Sequence, residues 1–132
     1  MKLQITSFLT FQENNAEEAM NFYVDLFDSS KVIDIHRYGK EGPGKEGSVM
    51  KAEFELNGKQ FICSDSFIKH KWTFTPAISN WVECKNEKEL ETLYSKLSEN
   101  GFVMMPLDNY GFSRKFTWVA DKFGISWQLN LQ

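Results

Sequence analysis

Apolar residues recur along this chain at two spacings: every second residue in most segments, and every third or fourth residue in two others. The alternating segments predict strands with one buried face, and the other two predict amphipathic helices. In the first half the order is strand, helix and three strands, and the pair Asn57-Gly58 predicts a tight hairpin between the last two. These elements are residues 5–12, 15–27, 32–38, 48–56 and 60–64.

The second half of the chain repeats this order. Aligning Asn15 with Asn86, at which the two predicted helices begin, also aligns Phe8 with Ser79 without a gap. The sequence therefore predicts two βαβββ modules, about residues 3–66 and 77–132, within one domain that spans residues 1–132. The elements of the second module are residues 78–84, 86–100, 102–105, 112–119 and 125–131.

Both predicted helices carry boundary signals. Asn15 and Asn86 each stand at a helix start, with Glu18 and Glu89 three residues later, so we expect a capping box at both. Gly101 follows the second helix, where a residue in the left-handed conformation often ends one.

The composition narrows the possible functions. The chain has 12 Phe, 4 Trp and 4 Tyr, which is more than a small core usually needs, so we expect some rings to line a cavity. A net charge of −3 without a basic run argues against nucleic acid as a partner. No apolar run approaches the roughly 20 residues that span a bilayer, and no signal-peptide pattern is present. We therefore expect a cytoplasmic protein without membrane contact, whose Cys63 and Cys84 are reduced thiols.

Several segments resemble one known superfamily. They are residues 5–11 (ITSFLTF), 16–23 (AEEAMNFY), 49–58 (VMKAEFELNG), 82–84 (VEC) and 118–128, which end in DKFGISWQ. With the two βαβββ modules, they resemble the vicinal oxygen chelate superfamily, whose fold is glyoxalase-like, and in particular its PhnB-like branch. The resemblance implies an α+β fold with curved mixed sheets around a central cavity, formed within one chain or across a homodimer. Proteins of this branch often carry the description demethylubiquinone methyltransferase.

The resemblance also implies where a metal would bind. In this superfamily, His or Glu ligands come from four inward strand positions, which correspond here to Phe8, Ser79, Gln128 and either Ile62 or Cys63. None of these residues is a histidine or a carboxylate. We therefore expect no metal at this centre and no cofactor.

Other reactive side chains are few. Cys63 is a candidate nucleophile if its side chain faces the cavity, and Glu83 a candidate general base if it lies beside Ser79 and Trp81. Cys84 shares a face with Val82 and is expected in the core. His36 and His70 have no neighbouring carboxylate at a telling spacing.

A binding site for a small amphipathic or aromatic molecule is the function that these residues favour. The alternative is a metal-independent enzyme that uses Cys63 or Glu83, so whether the protein is an enzyme stays open. A methyltransferase is the third reading, but no glycine opens a helix after a strand, as the common S-adenosylmethionine site requires. The expected ligand-binding residues are Phe8, Thr10, Met50, Phe54, Cys63, Ser79, Trp81, Trp118 and Gln128.

Overall fold

The computed structural model describes residues 2–132, which form eight strands and two helices. The chain divides into two compact units, the first ending at Lys71 and the second starting at Trp72. Neither helix in this part of the chain has the length and apolar character of a membrane span.

The first unit is a four-stranded mixed sheet with one helix. Its strand order is β1-β4-β3-β2, in which β1 and β4 are parallel and the other neighbours are antiparallel. Its elements are β1 (Ser7–Phe11), α1 (Ala16–Leu26), β2 (Lys31–Arg37), β3 (Val49–Leu56) and β4 (Lys59–Asp65).

The second unit has the same topology. Its strand order is β5-β8-β7-β6, again with a parallel pair, β5 and β8, and antiparallel pairing elsewhere. Its elements are β5 (Asn80–Glu83), α2 (Glu87–Ser98), β6 (Phe102–Asp108), β7 (Lys115–Ala120) and β8 (Ser126–Leu131).

The α+β class and both βαβββ orders are thus confirmed, and only element ends differ. The first strand starts at Ser7 instead of residue 5, and β7 starts at Lys115 instead of residue 112. In the second case the apolar Phe112 extended the alternating pattern into what is a turn around Gly111, whose φ is +95°. An alternating pattern cannot distinguish a strand from an adjoining apolar loop.

Each sheet has one face covered by the helix of its own unit. In the first unit, α1 packs on β2, β3 and β4, and the alternate residues Phe54, Phe61 and Cys63 are buried there. In the second unit, α2 packs on β6, β7 and β8, and Val119, Leu129 and Leu131 are buried. We call the opposite surfaces the first and the second open face.

The capping prediction for α1 is wrong. Asn15 is the N-cap residue, but its side chain makes no capping hydrogen bond. Instead the buried Asp65, at the end of β4, accepts hydrogen bonds from the backbone N–H of Ala16 (2.9 Å) and of Val49 (2.8 Å). One donor at the start of this helix, the N–H of Ala16, is therefore satisfied by a carboxylate 49 positions away in sequence.

The predictions for the two ends of α2 are confirmed only in part. The side chain of Asn86 accepts from the N–H of Glu89 at 2.8 Å, and the Glu89 carboxylate accepts from the N–H of Lys85 at 2.8 Å. At the other end, Asn100 with φ +59° takes the left-handed conformation expected of Gly101. Gly101 is needed for a different reason, because a Cβ there would lie 2.2 Å from the carbonyl oxygen of Ala120.

Candidate ligand-binding face

The second open face carries a row of three side chains on adjacent strands. Gln128 on β8 pairs with Trp81 on one side and with Trp118 on the other. Trp81 is 51% exposed, and Gln128 and Trp118 are half-buried. An amide thus lies between two indole rings, on the face that α2 does not cover.

Hydrogen bonds fix both indoles of this row. Trp118 donates its Nε1–H to the hydroxyl of Ser126 at 2.8 Å, and that hydroxyl lies 2.7 Å from the hydroxyl of Ser79. Trp81 donates its Nε1–H to the carboxylate of Glu83 at 2.7 Å. Among residues 2–132, by contrast, no protein group hydrogen-bonds the amide of Gln128. The row therefore presents a free amide between two oriented rings.

A carboxylate–amide pair lies next to this row. Glu83 and Asn130 are paired residues of β5 and β8, and the Asn130 Nδ2 lies 3.2 Å from each oxygen of the Glu83 carboxylate. Asn130 is only 1% exposed, whereas Glu83 is exposed. The candidate base thus lies on the same face as Trp81, as the sequence hypothesis required.

Aromatic rings complete the second open face. Phe116, which pairs with Asn130 and is buried, lies 5.7 Å from Trp81, 5.9 Å from Tyr110 and 4.9 Å from Phe112, measured between ring centroids. Tyr110 and Phe112 belong to the β6–β7 loop and are exposed. We call these four rings the aromatic cluster.

The first open face carries apolar and hydroxyl side chains beside a charged residue of β3, since Glu53 pairs with Ile62. Phe8 pairs with Ile62, and Thr10 with Ser64, so these four side chains share the face opposite α1. Phe8 is 54% exposed. This register resolves the alternative that the sequence left open: Ile62, and not Cys63, lies beside Phe8.

Two of the expected ligand-binding residues lie elsewhere. Phe54 and Cys63 are on the covered face, 1% and 0% exposed, because β3 and β4 turn these alternate positions towards α1. We therefore leave both out of the proposed site. Met50, 48% exposed, lies at an irregularity in the β2–β3 pairing, between the residues that oppose His36 and Arg37.

The thiols are poorly placed for catalysis. Burial, with a smaller effect from the charge of Asp65, raises the pKa of Cys63 to about 12. Burial is also the main cause that raises the pKa of Cys84 to about 11, with a contribution from Glu89. Both cysteines are free and buried, so neither carries thiolate character at neutral pH. The expectation that Cys84 belongs to the core is confirmed.

The histidines need one correction. His36 does have a carboxylate neighbour, since its Nε2 lies 3.0 Å from Oδ2 of Asp34, two residues earlier on the same face of β2. Both side chains are more than half exposed. His70 lies 3.2 Å from the hydroxyl of Ser66 in the connector after β4.

The residues at the positions implied for a metal do not fit one. On the first open face the paired positions hold Phe8 with Ile62 and Thr10 with Ser64, which offer no charged ligand. On the second they hold Gln128 with Trp81, and the hydroxyl of Ser79 is engaged with Ser126. Over residues 2–132, no group of three or more His, Cys, Asp or Glu side chains is arranged to hold a metal ion. A divalent transition metal requires such donors.

The sequence reasoning missed part of this face. Asn130 is two residues after Gln128 on the same strand, so the alternation that selected Gln128 also pointed to Asn130. In the same way, alternation along β7 places Phe116 on the same face as Trp118. Tyr110 and Phe112 lie in a loop, and no periodic signal could have connected them to the face.

Comparisons with known proteins agree with this fold. A family described as 3-demethylubiquinone-9 3-methyltransferase matches residues 3–130. No protein of curated function matches the chain. A solved structure from Bacillus cereus, described as a PhnB protein, is 52% identical with a TM-score of 0.95, and the match covers 98% of this chain and 100% of that one.

Two more distant structures are similar in fold alone. A Pseudomonas aeruginosa protein is 24% identical with a TM-score of 0.84, and the match covers 99% of this chain and 98% of that one. A glyoxylase/bleomycin resistance protein/dioxygenase domain from Frankia is 13% identical with a TM-score of 0.66, covering 99% and 98%. The eight strands and two helices described above are therefore of the glyoxalase-like type.

Proposed function

The chain belongs to the family described as 3-demethylubiquinone-9 3-methyltransferase, and from this membership we propose a PhnB-like protein that binds a small aromatic or amphipathic molecule without a metal ion. The binding surface in this proposal is the second open face. The resemblance to PhnB-like proteins that the sequence suggested is thereby confirmed at the level of the family.

The observation that carries the proposal is the row Trp81–Gln128–Trp118. Both indole N–H groups are engaged, so the rings are held in fixed orientations at little further entropic cost on binding. The amide between them retains a donor and an acceptor for a ligand. Small-molecule sites typically combine apolar walls with a few directed polar groups in this way.

The first open face contributes more weakly to the proposal. Phe8 and Thr10 lie together there, so a second apolar contact with one hydroxyl is available on that unit. Met50 stays a predicted contact.

A metal-independent enzyme is the second candidate, and Glu83 is the residue that favours it. The carboxylate lies on the second open face and is exposed enough to meet a substrate. However, its oxygens already accept hydrogen bonds from Trp81 and Asn130, which occupy acceptor positions that a substrate proton would need. We therefore favour binding over proton abstraction.

The methyltransferase activity in the family's description is a third candidate without a supporting contact. The segments that lead from β1 to α1 and from β5 to α2, residues 12–15 and 84–86, contain no glycine. A glycine-rich turn at such a place is the usual site for the cofactor's nucleoside in methyltransferases of the nucleotide-binding fold. Isothermal titration with S-adenosylmethionine tests this candidate, and saturable binding would support it.

We also propose a cytoplasmic homodimer. The two cysteines are free thiols, which suits a reducing compartment. Several large apolar side chains are exposed, and such side chains favour an interface between copies. They include Leu3, Ile5, Ile78 and Phe102. Light scattering should give a mass near twice 15.4 kDa, and a monomer at low micromolar concentration would contradict the dimer.

The binding proposal is tested by titrating the protein with 2-phenylethanol, a small neutral aromatic alcohol. We expect saturable binding that Gln128→Leu weakens about tenfold, since the ligand hydroxyl loses its amide partner. Gln4→Leu is the matched control, because Gln4 is exposed and lies before β1 in the other unit. Equal affinities for both variants, or a stoichiometric transition metal in the purified protein, would contradict the proposal.

A further inference from the structure

On the second open face, the side chains of Glu83 and Asn130 together have more hydrogen-bond acceptors than donors to satisfy them. The Nδ2 of Asn130 is directed to Glu83, so its Oδ1 is at the other end of the same amide. That Oδ1 is buried and has no hydrogen-bond partner within residues 2–132. Leaving a buried carbonyl unpaired is unfavourable, so the position calls for a donor.

The amide cannot simply be reversed to remove this surplus. Turning Asn130 around would bring its carbonyl oxygen within 3.2 Å of both carboxylate oxygens of Glu83, setting acceptors against acceptors. The present orientation satisfies the carboxylate and leaves the carbonyl without a donor. A group that donates N–H bonds would satisfy both residues.

The charge of Glu83 is not neutralised within the described chain. No Lys, Arg or His side chain of residues 2–132 pairs with it, and its partners are the neutral donors of Trp81 and Asn130. The nearby Lys115 is turned towards α2, where it lies 3.8 Å from Glu87 and 3.6 Å from Glu91. A positive charge brought by a ligand would therefore meet an uncompensated carboxylate.

The aromatic cluster lies beside this carboxylate. Trp81 both donates to Glu83 and lies 5.7 Å from Phe116, and Phe116 pairs with Asn130 across β7 and β8. Tyr110 and Phe112 flank Phe116 from the β6–β7 loop. The faces of aromatic rings attract cations as well as apolar groups.

From this arrangement we propose that the second open face binds a protonated primary amine carried on an aromatic or apolar group. The ammonium donates to the exposed Glu83 and, once exposed rings of the aromatic cluster move to uncover it, to the buried Oδ1 of Asn130. The apolar part packs on the aromatic cluster. This inference rests on the proposed binding function and names the chemical class of its ligand. A quaternary ammonium, which has no N–H, fits the acceptors less well than a primary amine does.

The test compares two probes of the same shape on the unaltered protein. 2-Phenylethylamine carries a positive charge at pH 7, and 2-phenylethanol is its neutral counterpart. We expect the amine to bind about tenfold more tightly, as a charge-assisted hydrogen bond predicts. The side-chain amide resonances of Asn130 should shift with the amine and stay in place with the alcohol.

Two variants then test whether Glu83 causes the preference for the amine over the alcohol. Glu83→Gln keeps the shape of the side chain and removes its charge, so the ratio of the two affinities should fall to about one. Glu91→Gln removes a charge from the same unit on the side that α2 covers, and it should leave the ratio unchanged. If Glu83→Gln does not fold, the two-probe comparison on the unaltered protein still decides.

The outcomes separate the inference from the function on which it rests. If the alcohol binds and the amine is not preferred, or if Glu83→Gln keeps the amine preference, the inference is wrong and the binding function stands. If neither probe binds at millimolar concentration, both fail, and an ordered water on Asn130 is the better account.

Discussion

The carboxylate of Asp65 accepts a hydrogen bond from the backbone N–H of Ala16 at 2.9 Å, which joins the end of β4 to the start of α1. The second carboxylate oxygen accepts from the N–H of Val49 at 2.8 Å, at the start of β3. Asp65 is buried and lies where three elements of the first unit meet. Its carboxylate therefore ties the start of α1 to the end of β4 and the start of β3.

Asp65→Asn should lower the free energy of unfolding by about 2 kcal/mol. Both carboxylate oxygens accept from N–H groups, so an amide in their place sets one donor against another. Urea denaturation measures the loss, with the exposed Asp25→Asn on α1 as the control. Equal stability of the two variants would show that Asp65 does not hold this junction.

Gly101→Ala should destabilise the second unit by about 2 kcal/mol or more, because the added Cβ would lie 2.2 Å from the carbonyl oxygen of Ala120. Gly39→Ala is the control: nothing lies within 4 Å of a Cβ there, so its effect should stay within about 0.5 kcal/mol. Similar thermal stability of the two variants would contradict the close approach.

Both thiols should react slowly with a disulfide reagent at pH 8 in the folded protein. Their pKa values, about 12 for Cys63 and about 11 for Cys84, leave almost no thiolate there, and both side chains are buried. After unfolding in guanidinium, the two thiols should react rapidly. Fast reaction of Cys63 in the folded state would contradict this prediction and make Cys63 a candidate nucleophile again.

The same thiols make stability depend on pH in the alkaline range. Because folding raises the pKa of Cys63 from 9.0 to about 12, the folded state holds this proton more tightly than the unfolded state. Its contribution to stability is therefore complete below pH 9 and is lost as the pH rises towards 12, by up to about 1.4 kcal/mol per pH unit. Cys63→Ala should show a shallower decline in denaturation midpoints than the unaltered protein. An equally steep decline would contradict the shift.

The alternating and helical spacings were sufficient to predict the order of elements in both modules, and the resemblance to a known superfamily implied the fold class. The binding site was harder to predict from the sequence. Ser79, Trp81, Trp118 and Gln128 do share one face, as predicted, since alternation within a strand fixes the face of each residue. The register of β4 could not be predicted, and it decided that Ile62, and not Cys63, is on the open face.

Long-range polar contacts were the second kind of feature that the sequence could not predict. Asp65 directly follows the strand predicted at residues 60–64, and nothing local indicates that it reaches Ala16. Asn15 had the residue type of a cap, but its side chain makes no capping hydrogen bond. Gly101 showed the reverse: the sequence marked a glycine correctly, but the reason is a steric contact with Ala120 and not its own backbone angle.

The central claim, that the second open face binds a small aromatic molecule, is tested most directly by nitrogen–proton NMR of the four tryptophan indoles during titration with 2-phenylethanol. Trp81 and Trp118 lie on that face, the buried Trp127 donates to Asp121, and Trp72 lies in the connector and is exposed. We expect saturable shifts of the Trp81 and Trp118 resonances, with Trp72 and Trp127 unchanged. Shifts of Trp72 alone, equal shifts of all four, or none at all would contradict the account.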